Sequence, residues 1–425
     1  MNLINFIKKQ IKDIKTRPKT IINKFKTLLN LLYKYFFFPI NLILAILIII
    51  FSKFILIRIG FFKTKWIGEF VPSAEIHLIN RKISKTKTFD IFVSDTIVTN
   101  LFFLKKVKKK IRIINHNFYY LYKILKFLSE KKNYFKKHII NYLENHSTDA
   151  YQLPDLNNQI IKLNDQEVLY GYKILDEKIK KNYKGIVLFC VRDNYNNQTL
   201  YPYTDWSSNN FRNYKFEDFI PSIELLNSNN YLVIRMGNLN ERKIVLNNNL
   251  FIDYSFSDWK SDFMDNFLGY ACSFCITTGT GSDVFAKLNR KRIGCVINPL
   301  TQIYDRNNWT YIFGYLKNKT TNKYLTIDEI IKEELSNSSN LKKINETYIL
   351  EKNKSEDITQ LVLETMLKHE NKFNFSDVNY DLQKSFWDKT SKLSEKRFEN
   401  LKEFKKLDNR ICNSFLIKNK DIFGL

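Results

Sequence analysis

Cysteine and histidine are scarce in this chain of 425 residues, and neither type is arranged as a disulfide framework or a metal site. The cysteine count is odd, and four of the five lie in apolar stretches that are typical of core strands. Cys272 and Cys275 have a metal-like spacing, but no second pair and no nearby histidine completes a tetrahedral set of ligands. We therefore predict reduced, buried thiols and no bound metal. The cysteines are Cys190, Cys272, Cys275, Cys295 and Cys412.

Signatures of several other protein classes are missing as well. No G-x-S-x-G elbow supports a serine hydrolase, and the five histidines are scattered along the chain. No internal repeat stands out, and no recognised nucleic-acid module appears. The formal net charge of +25 nevertheless favours an anionic partner, so a basic nucleic-acid-binding protein stays open as one alternative. The basic excess is concentrated near the amino terminus, which favours a membrane surface over a nucleic acid.

The amino-terminal region combines positive charge with a long apolar run. Residues 1–35 carry nine basic side chains and a single acid, Asp13, and apolar residues fall among them at helical spacing. Such basic amphipathic segments are typical of helices that lie on anionic bilayers. Residues 36–57 are almost wholly apolar and would reach about 33 Å as a helix, against about 30 Å for a hydrocarbon core. The sequence thus predicts a basic amphipathic segment over residues 1–35 and a hydrophobic membrane anchor over residues 36–65.

Three apolar strand patterns in the second half of the chain end in residues suited to anions. One precedes Arg192, a second ends at Arg235, and the run 272–276 leads into a loop of glycines and hydroxyl residues before a helical pattern. Amides of such a loop approach phosphates closely, and parallel strands share one carboxyl edge. The loop matches neither G-x-G-x-x-G nor the P-loop pattern. We predict that a diphosphate is bound by Arg192, Arg235, Gly279, Thr280, Gly281 and Ser282.

An ordered set of short motifs carries a resemblance to a known family. The motifs are residues 191–193, 211–213, 233–237, 252–254, 261–265, 272–276, 279–282 and 296–299. The set spans roughly residues 186–300 and resembles the glycosyltransferases encoded in bacterial surface-polysaccharide gene clusters, with a fainter likeness at residues 58–60 and 414–416. The segments around Arg192 and residues 279–282 are also similar to donor-binding motifs of GT-B fucosyltransferases.

The resemblance implies an α/β protein of GT-B type with two Rossmann-like domains. The apolar run adds the expectation of an N-terminal membrane-associated helical segment. It implies transfer of a hexosyl or deoxyhexosyl group from a nucleotide-sugar to a surface-polysaccharide or lipid-linked acceptor, with no obligatory metal or other cofactor. We place the acceptor domain at residues 66–184 and the donor domain at residues 185–350. Helices of residues 351–425 are expected to pack back on the fold.

The same resemblance suggests roles for individual residues. Arg192 and Arg235 would neutralise the donor diphosphate, and Asp193 is a candidate for the base that deprotonates the acceptor hydroxyl. Asp262 and Asp265 compete for that role, although both could instead complement the amino end of a helix. Arg212 and Asn213 are candidate donor or acceptor contacts. The family's motif often carries a histidine where this chain has Cys190, so a non-catalytic membrane-associated partner of polysaccharide assembly is the second alternative.

The orientation of the anchor matters because nucleotide-sugars are cytoplasmic. Basic residues before the apolar run predict a cytoplasmic amino terminus, and a single span would then export the rest of the chain. A monotopic or re-entrant anchor, bent near Pro39, would leave both flanks inside. We therefore expect the protein on the cytoplasmic face of the inner membrane, held by a monotopic or single hydrophobic anchor. A buried helix of a soluble fold is the alternative.

Overall fold

The structure of this protein is a computed structural model that describes residues 21–84, 87–140, 157–202, 204–297, 308–335, 341–394 and 410–425. In chain order its α-helices are α1 (Ile21–Ile50), α2 (Ile67–Ser84), α3 (Leu101–Lys108), α4 (Tyr119–Lys131), α5 (Asp165–Lys178), α6 (Tyr195–Leu200), α7 (Ile220–Ser228), α8 (Asp262–Ala271), α9 (Val284–Leu288), α10 (Ile327–Lys332), α11 (Leu341–Thr347), α12 (Ser355–His369), α13 (Tyr380–Ser394) and α14 (Asn413–Phe423). Its strands are β1 (Ile57–Phe62), β2 (Phe89–Ser94), β3 (Arg112–Ile114), β4 (Gly185–Cys190), β5 (Tyr231–Arg235), β6 (Phe251–Asp253), β7 (Phe274–Thr277), β8 (Arg292–Ile297), β9 (Trp309–Phe313), β10 (Tyr315–Asn318), β11 (Tyr348–Glu351) and β12 (Arg410–Ile411).

The chain divides into two compact units that are not consecutive stretches of sequence. The first unit is Met1–Lys63, Thr86–Ile97 and Lys108–Asn141. The second is Thr64–Lys85, Val98–Val107 and Tyr142–Leu425. The domain boundaries placed after residues 65, 184 and 350 stay predictions. Helices α2 and α3 belong to the second unit, although both lie within the stretch assigned to the acceptor domain.

A small parallel sheet organises the first unit. Strands β1, β2 and β3 pair side by side in chain order, with Ile57 opposite Phe89. Arg58 of β1 makes a two-pronged ion pair with the fully buried Asp90 of β2, at 2.8 and 2.7 Å. Such a pair fixes the register, because slipping by one residue would leave the buried carboxylate unpaired. Strands β2 and β3 also pair in parallel, with Ile91 opposite Arg112.

The apolar amino-terminal segment is one helix followed by a strand. Helix α1 continues through Pro39 to Ile50, and the monotopic or re-entrant placement in a membrane stays a prediction. Residues 57–62, which we include in the anchor, instead form β1. The N-terminal apolar helix itself is confirmed, and Phe36–Lys53 is long and apolar enough to cross a bilayer by length and composition. Residues 1–20 of the predicted amphipathic segment lie outside the described residues.

A larger sheet forms the centre of the second unit. Among the described residues it runs β12-β9-β8-β7-β4-β5-β6, and every pairing in it is parallel. Its strands are buried along nearly their whole length, as in parallel sheets covered on both faces. Helix α7 packs on β5, and α12 packs on β8 and β9. The predicted α/β class with parallel sheets is therefore confirmed.

Local sequence signals explain several of these elements. Thr326 and Glu329 form the capping box expected from Thr-x-x-Glu, each side chain bonding the other residue's backbone N–H. Ser261 caps α8 by accepting a hydrogen bond from the Met264 amide. Helix α12 spans Ser355–His369, within the carboxyl-terminal stretch where helices were predicted.

All five cysteines are free and buried. Cys275 Sγ lies 3.7 Å from Cys190 Sγ, where β4 and β7 pair. Burial raises the pKa of Cys272 and Cys295 to about 12 in each case, so these thiols stay neutral at ordinary pH. The cysteines thus act as small apolar side chains of the core.

We predict that none of the five thiols reacts quickly with a thiol reagent such as Ellman's reagent in the native protein. The attacking species is the thiolate, and burial of all five side chains keeps the reagent from reaching them. In denaturant all five should react. Rapid modification of even one thiol under native conditions would contradict the core assignment.

Candidate functional site

The predicted anion-binding segments meet where the strand order of the large sheet reverses. The chain runs outward from β4 through β5 to β6 on one side, and from β7 through β8 to β9 on the other. Strands β4 and β7 are therefore central neighbours from which the chain leaves in opposite directions. In open α/β sheets this switch point leaves a crevice outside the carboxyl ends of the two strands. Arg192 follows β4 there, and the glycine loop follows β7.

Backbone hydrogen bonds join the two loops at this crevice. The Thr278 amide donates to the Cys190 carbonyl at 3.2 Å, and the Arg192 amide donates to Thr278 Oγ1 at 2.9 Å. Gly279 then adopts a φ of +75°, a left-handed conformation that favours glycine. The reversal turns residues 279–282 out of the sheet, where they are partly exposed. The loop is therefore fixed at its start and open along its outer side.

A buried carboxylate supports the loop from beneath. Asp283, with its side chain only 2 % exposed, accepts a hydrogen bond from Thr277 Oγ1 at 2.7 Å and pairs with Lys287 at 2.8 Å. Thr277 Oγ1 in turn accepts from the Gly279 amide at 3.0 Å. Helix α9 begins without a side-chain cap bond, because Asp283 bonds to Thr277 and Lys287 instead. Asp283 is a positioning residue that sequence reasoning missed.

A second helix begins beside the loop. A Cβ atom placed on Gly68 would lie 3.2 Å from the Cα of Gly281, and one placed on Gly281 would lie 3.2 Å from Ile67 Cγ2. Glycine at both positions therefore allows the first turn of α2 to approach the loop closely. Helix α2 has 18 residues, and the positive end of its dipole adds to the potential that favours an anion at the loop.

Arg192 and Arg212 both lie beside this loop. Among the described residues, Nε and Nη2 of Arg192 are buried without a hydrogen-bond partner. Burial first and the nearby charge of Arg212 second lower the pKa of Arg192 to about 10, while Asp193 raises it. Arg212 donates from Nη1 to the Gly279 carbonyl at 3.0 Å and also bonds Asn209. Two like charges and unmet donors at one place are what an anionic ligand would satisfy.

Arg235 has a different environment from the one predicted for it. Its guanidinium is 5 % exposed, pairs with Asp253 at 2.9 Å and donates to the Arg242 carbonyl at 2.9 Å. It also lies 4.5 Å from the centre of the Phe216 ring. Strands β4 and β5 are adjacent, but the Arg235 side chain is buried in its ion pair with Asp253. Arg212, which we had only as a candidate contact, stands beside Arg192 instead.

The acidic candidates also differ in their surroundings. Asp193 accepts hydrogen bonds from the Tyr195 and Glu241 amides, at 3.1 and 3.3 Å, and lies 3.9 Å from Arg235. Asp262 Oδ2 accepts the Leu101 amide at 2.6 Å, so it caps helix α3 from outside. Both carboxylates are therefore engaged in holding the backbone.

Asp265 is the carboxyl group whose environment changes its acidity. It lies in the first turn of α8, half-buried near the Tyr254 hydroxyl and Lys260. Burial raises its pKa to about 6 and Asp262 adds to the rise, whereas a hydrogen bond from Tyr254 and the charge of Lys260 oppose it. Lys260 also bonds Asn238, in the loop that follows β5. Asp265 thus lies at the carboxyl edge of the sheet with a pKa suited to proton exchange.

Asn213 and Cys190 complete the predicted set. Asn213 bonds Asn210 at 3.3 Å, and its backbone carbonyl accepts a hydrogen bond from Lys352. Cys190 is fully buried against Cys275. The Cys190 side chain points into the core and so offers no group to the surface of this site.

An aromatic cluster near the loop was not predicted. Trp66 lies directly before α2, with ring centres 5.1 Å from Tyr201 and 5.8 Å from Trp206. Tyr201 and Trp206 belong to the stretch between Arg192 and Arg212, and all three rings are partly exposed. No sequence signal connects Trp66 with residues more than a hundred positions away. Only the fold, through the contact between Gly68 and Gly281, brings them to one place.

No three histidine, cysteine, aspartate or glutamate side chains converge as a metal site within the described ranges. The absence of a metal requirement stays a prediction. The arrangement at the switch point offers guanidinium groups, loop amides and two helix amino ends, a set of donors that suits phosphate oxygens without a metal ion.

Comparison with protein-family models gives no match, and comparison with curated protein sequences gives none. Two solved structures are similar to this one. A glycosyl transferase of family 9 from Veillonella parvula DSM 2008 aligns over 74 % of this chain and 98 % of its own, with 11 % identity and a TM-score of 0.42. The ADP-heptose lps heptosyltransferase II of E. coli aligns over 60 % of this chain and 90 % of its own, with 12 % identity and a TM-score of 0.34. Both TM-scores lie below 0.5, so the function proposed below rests on the residues of the site.

Proposed function

We propose that this protein is a glycosyltransferase that binds the diphosphate of a nucleotide-sugar at the switch point between β4 and β7. The observation that carries the proposal is the buried guanidinium of Arg192, with two nitrogens unpartnered among the described residues beside a second arginine and an amide-rich loop. Buried guanidinium nitrogens without a hydrogen-bond partner are costly, and a bound anion would satisfy them. The diphosphate group fits because it offers several acceptor oxygens to convergent donors.

The same donors serve the chemical step. Breaking the glycosidic bond leaves negative charge on the departing nucleoside diphosphate, and donors already aimed at that charge lower the barrier. Arg192, Arg212 and the amides of residues 279–282 supply these donors. The support beneath them, from Asp283 to Thr277 and Gly279, keeps the loop in place without reorganisation during the reaction. Arg235 contributes indirectly, by holding the end of β5 through its ion pair with Asp253.

The aromatic cluster of Trp66, Tyr201 and Trp206 suits the ring portions of the substrates. Sugars and nucleobases both stack on aromatic faces, and indole and phenol groups also offer a polar edge. The cluster adjoins the diphosphate loop through Ile67 and Gly68. It would therefore bind a ring attached to the diphosphate or the ring of an incoming acceptor.

Asp265 is our candidate for the general base, in place of Asp193. A base for an acceptor hydroxyl works best when its pKa approaches the working pH, and burial gives Asp265 a pKa of about 6. The oxygens of Asp193 instead hold the turn after β4. The acceptor class, a surface polysaccharide or a lipid-linked saccharide on the cytoplasmic side, is supported by the family resemblance and the apolar helix α1. The transferred group is expected to be a hexose or deoxyhexose on the same basis.

Two alternatives make different predictions from this one. A non-catalytic partner of polysaccharide assembly would bind the nucleotide-sugar or the membrane but transfer nothing. A nucleic-acid-binding protein would bind RNA or DNA in a salt-dependent manner without binding a nucleoside diphosphate.

Replacing Arg192 with Gln should weaken binding of the preferred nucleoside diphosphate by about 10- to 100-fold, from loss of charge-assisted hydrogen bonds of about 1.5–3 kcal/mol. Without nucleotide, Arg192→Gln should not lower the melting temperature, because two guanidinium nitrogens are buried without a hydrogen-bond partner among the described residues and Arg212 adds a like charge nearby. Titration calorimetry with a panel of nucleoside diphosphates measures the affinity, and thermal melting measures the stability.

Two other arginines serve as controls for Arg192. Arg242 is 68 % exposed at the end of the same sheet, and Arg242→Gln should change neither property. Arg235→Gln should lower stability by about 3–5 kcal/mol, because it leaves Asp253 buried and unpaired. Equal nucleotide affinity in wild type and Arg192→Gln would rule out the proposed diphosphate site.

Replacing Asp265 with Asn should abolish most glycosyl transfer and raise stability at pH 7.5. The folded pKa of about 6 exceeds the ordinary aspartate value of about 4, so ionising this group as pH rises from about 4 through 6 lowers the stability of wild type. Asn removes that loss. The transfer rate of wild type should rise with pH through about 6, since a base must be ionised. The exposed Asp258→Asn variant is the matched control. Unchanged transfer by Asp265→Asn would return Asp193 to consideration.

A further inference from the structure

Helix α1 presents two different faces from Phe36 onward. Asn41, Ala45 and Ile48 recur at helical spacing and are buried, and they pack in a cluster with residues of α4. The other face is apolar but exposed, with Ile46 49 % exposed and Phe54, just beyond the helix, 82 % exposed. The further exposed residues of this face are Phe36, Phe38, Ile40, Leu42, Ile43, Leu47, Ile50, Phe51 and Ile55. An apolar surface this long on one side of a helix needs a partner.

Asn41 attaches α1 to α4 by hydrogen bonds. Its side-chain oxygen accepts the Leu121 amide at 3.0 Å, and its nitrogen donates to the Asn117 carbonyl at 2.9 Å and to the Phe37 carbonyl at 2.7 Å. The side chain is fully buried. Losing this contact would leave a buried amide unsatisfied, so α1 and the start of α4 behave as one rigid piece.

This attachment bears on whether α1 crosses a membrane. Residues 36–53 would span about 27 Å as a helix, and a transverse α1 would carry α4 into the hydrocarbon with it. Helix α4 carries Lys123, Lys126 and Lys131, and the sheet of the first unit is packed beside it. Charged side chains and open strand edges are excluded from hydrocarbon. The docked helix is therefore compatible with a position along a membrane surface and not with a span through it.

Lysines and aromatic rings surround the carboxyl end of the exposed face. The Tyr134 ring is exposed beneath the Lys137 ammonium, 4.1 Å from the ring centre, and Lys137 reaches Ser52 at 3.4 Å. Phe127 is likewise exposed, with Lys131 5.6 Å from its ring centre. The segment 119–138 holds six lysines against one acid, Glu130. Aromatic rings at headgroup level and lysines near phosphates are the features of a membrane-interface helix.

We propose that the apolar face of α1, with Phe54, Phe127 and Tyr134, docks on the surface of an anionic phospholipid bilayer with α1 lying in the membrane plane. Apolar burial anchors the first unit, and the surrounding lysines select anionic headgroups. Since the helix does not cross the bilayer, both flanks of α1 stay on one side. The proposal does not depend on the function of the anion site in the second unit.

Vesicle co-sedimentation of the full-length protein tests the surface. We expect binding to vesicles of phosphatidylcholine with 30 % phosphatidylglycerol, and at least tenfold weaker partitioning for the Ile46→Glu/Phe54→Glu double variant. The matched control is Leu169→Glu/Val245→Glu, which places the same charges at exposed apolar positions of the second unit. The control should bind vesicles like wild type, and both variants should keep the wild-type melting temperature. Equal partitioning of the two double variants overturns the proposal.

Depth measurement separates the in-plane position from a span. Single labels on Ile46→Cys and Phe54→Cys should be quenched by shallow brominated lipids at similar depth, about 5–10 Å below the headgroups. The native cysteines are buried and should not compete for the label. An Ile46 label at the bilayer centre with the Phe54 label at the interface would show a span and overturn the proposal. A lipid-independent oligomer that shields both labels would do the same, by showing that a second copy covers the face.

Discussion

The candidate site depends on one buried charge, the guanidinium of Arg192. The carboxyl end of β4 and the Thr278 hydroxyl fix its backbone, while two of its nitrogens have no partner among the described residues. Folding places this charge beside Arg212 and the glycine loop, an arrangement that is unfavourable without an anion. An anion bound at Arg192 would account for three features of the surrounding loop. These are the positive φ of Gly279, the close approach of Gly68 to Gly281, and the hydrogen bond between the buried Asp283 and Thr277.

Sequence reasoning found the strands of this site because parallel strands buried on both faces are continuous apolar runs. The runs that end before Arg192 and before residues 279–282 are neighbouring central strands, an order that the sequence did not predict. Sequence reasoning did not separate Arg192 from Arg235. Both arginines lie at the ends of apolar strands. Their environments differ because Asp253, on an adjacent strand, forms an ion pair with Arg235. A pairing partner on another strand carries no local signal.

Other parts of the site could not be predicted from the sequence either, because they depend on contacts between positions that are distant in the chain. The aromatic cluster joins Trp66 to Tyr201 and Trp206 only through the folded contact of α2 with the loop. In the first unit the apolar run 36–57 predicted a helix but not its docking, because Asn41 is one polar residue in an apolar segment. Its hydrogen bonds to α4 determine that the helix lies along the unit. In a hydropathy profile Asn41 is only one polar position within an apolar segment.

A structure determined with a bound nucleoside diphosphate tests the central claim most directly. The account predicts that the diphosphate oxygens accept hydrogen bonds from Nε and Nη2 of Arg192, from Arg212 and from amides of residues 279–282, with Arg235 still paired to Asp253. A nucleotide bound at the opposite edge of the sheet, or one that leaves the Arg192 guanidinium without a contact, would contradict it.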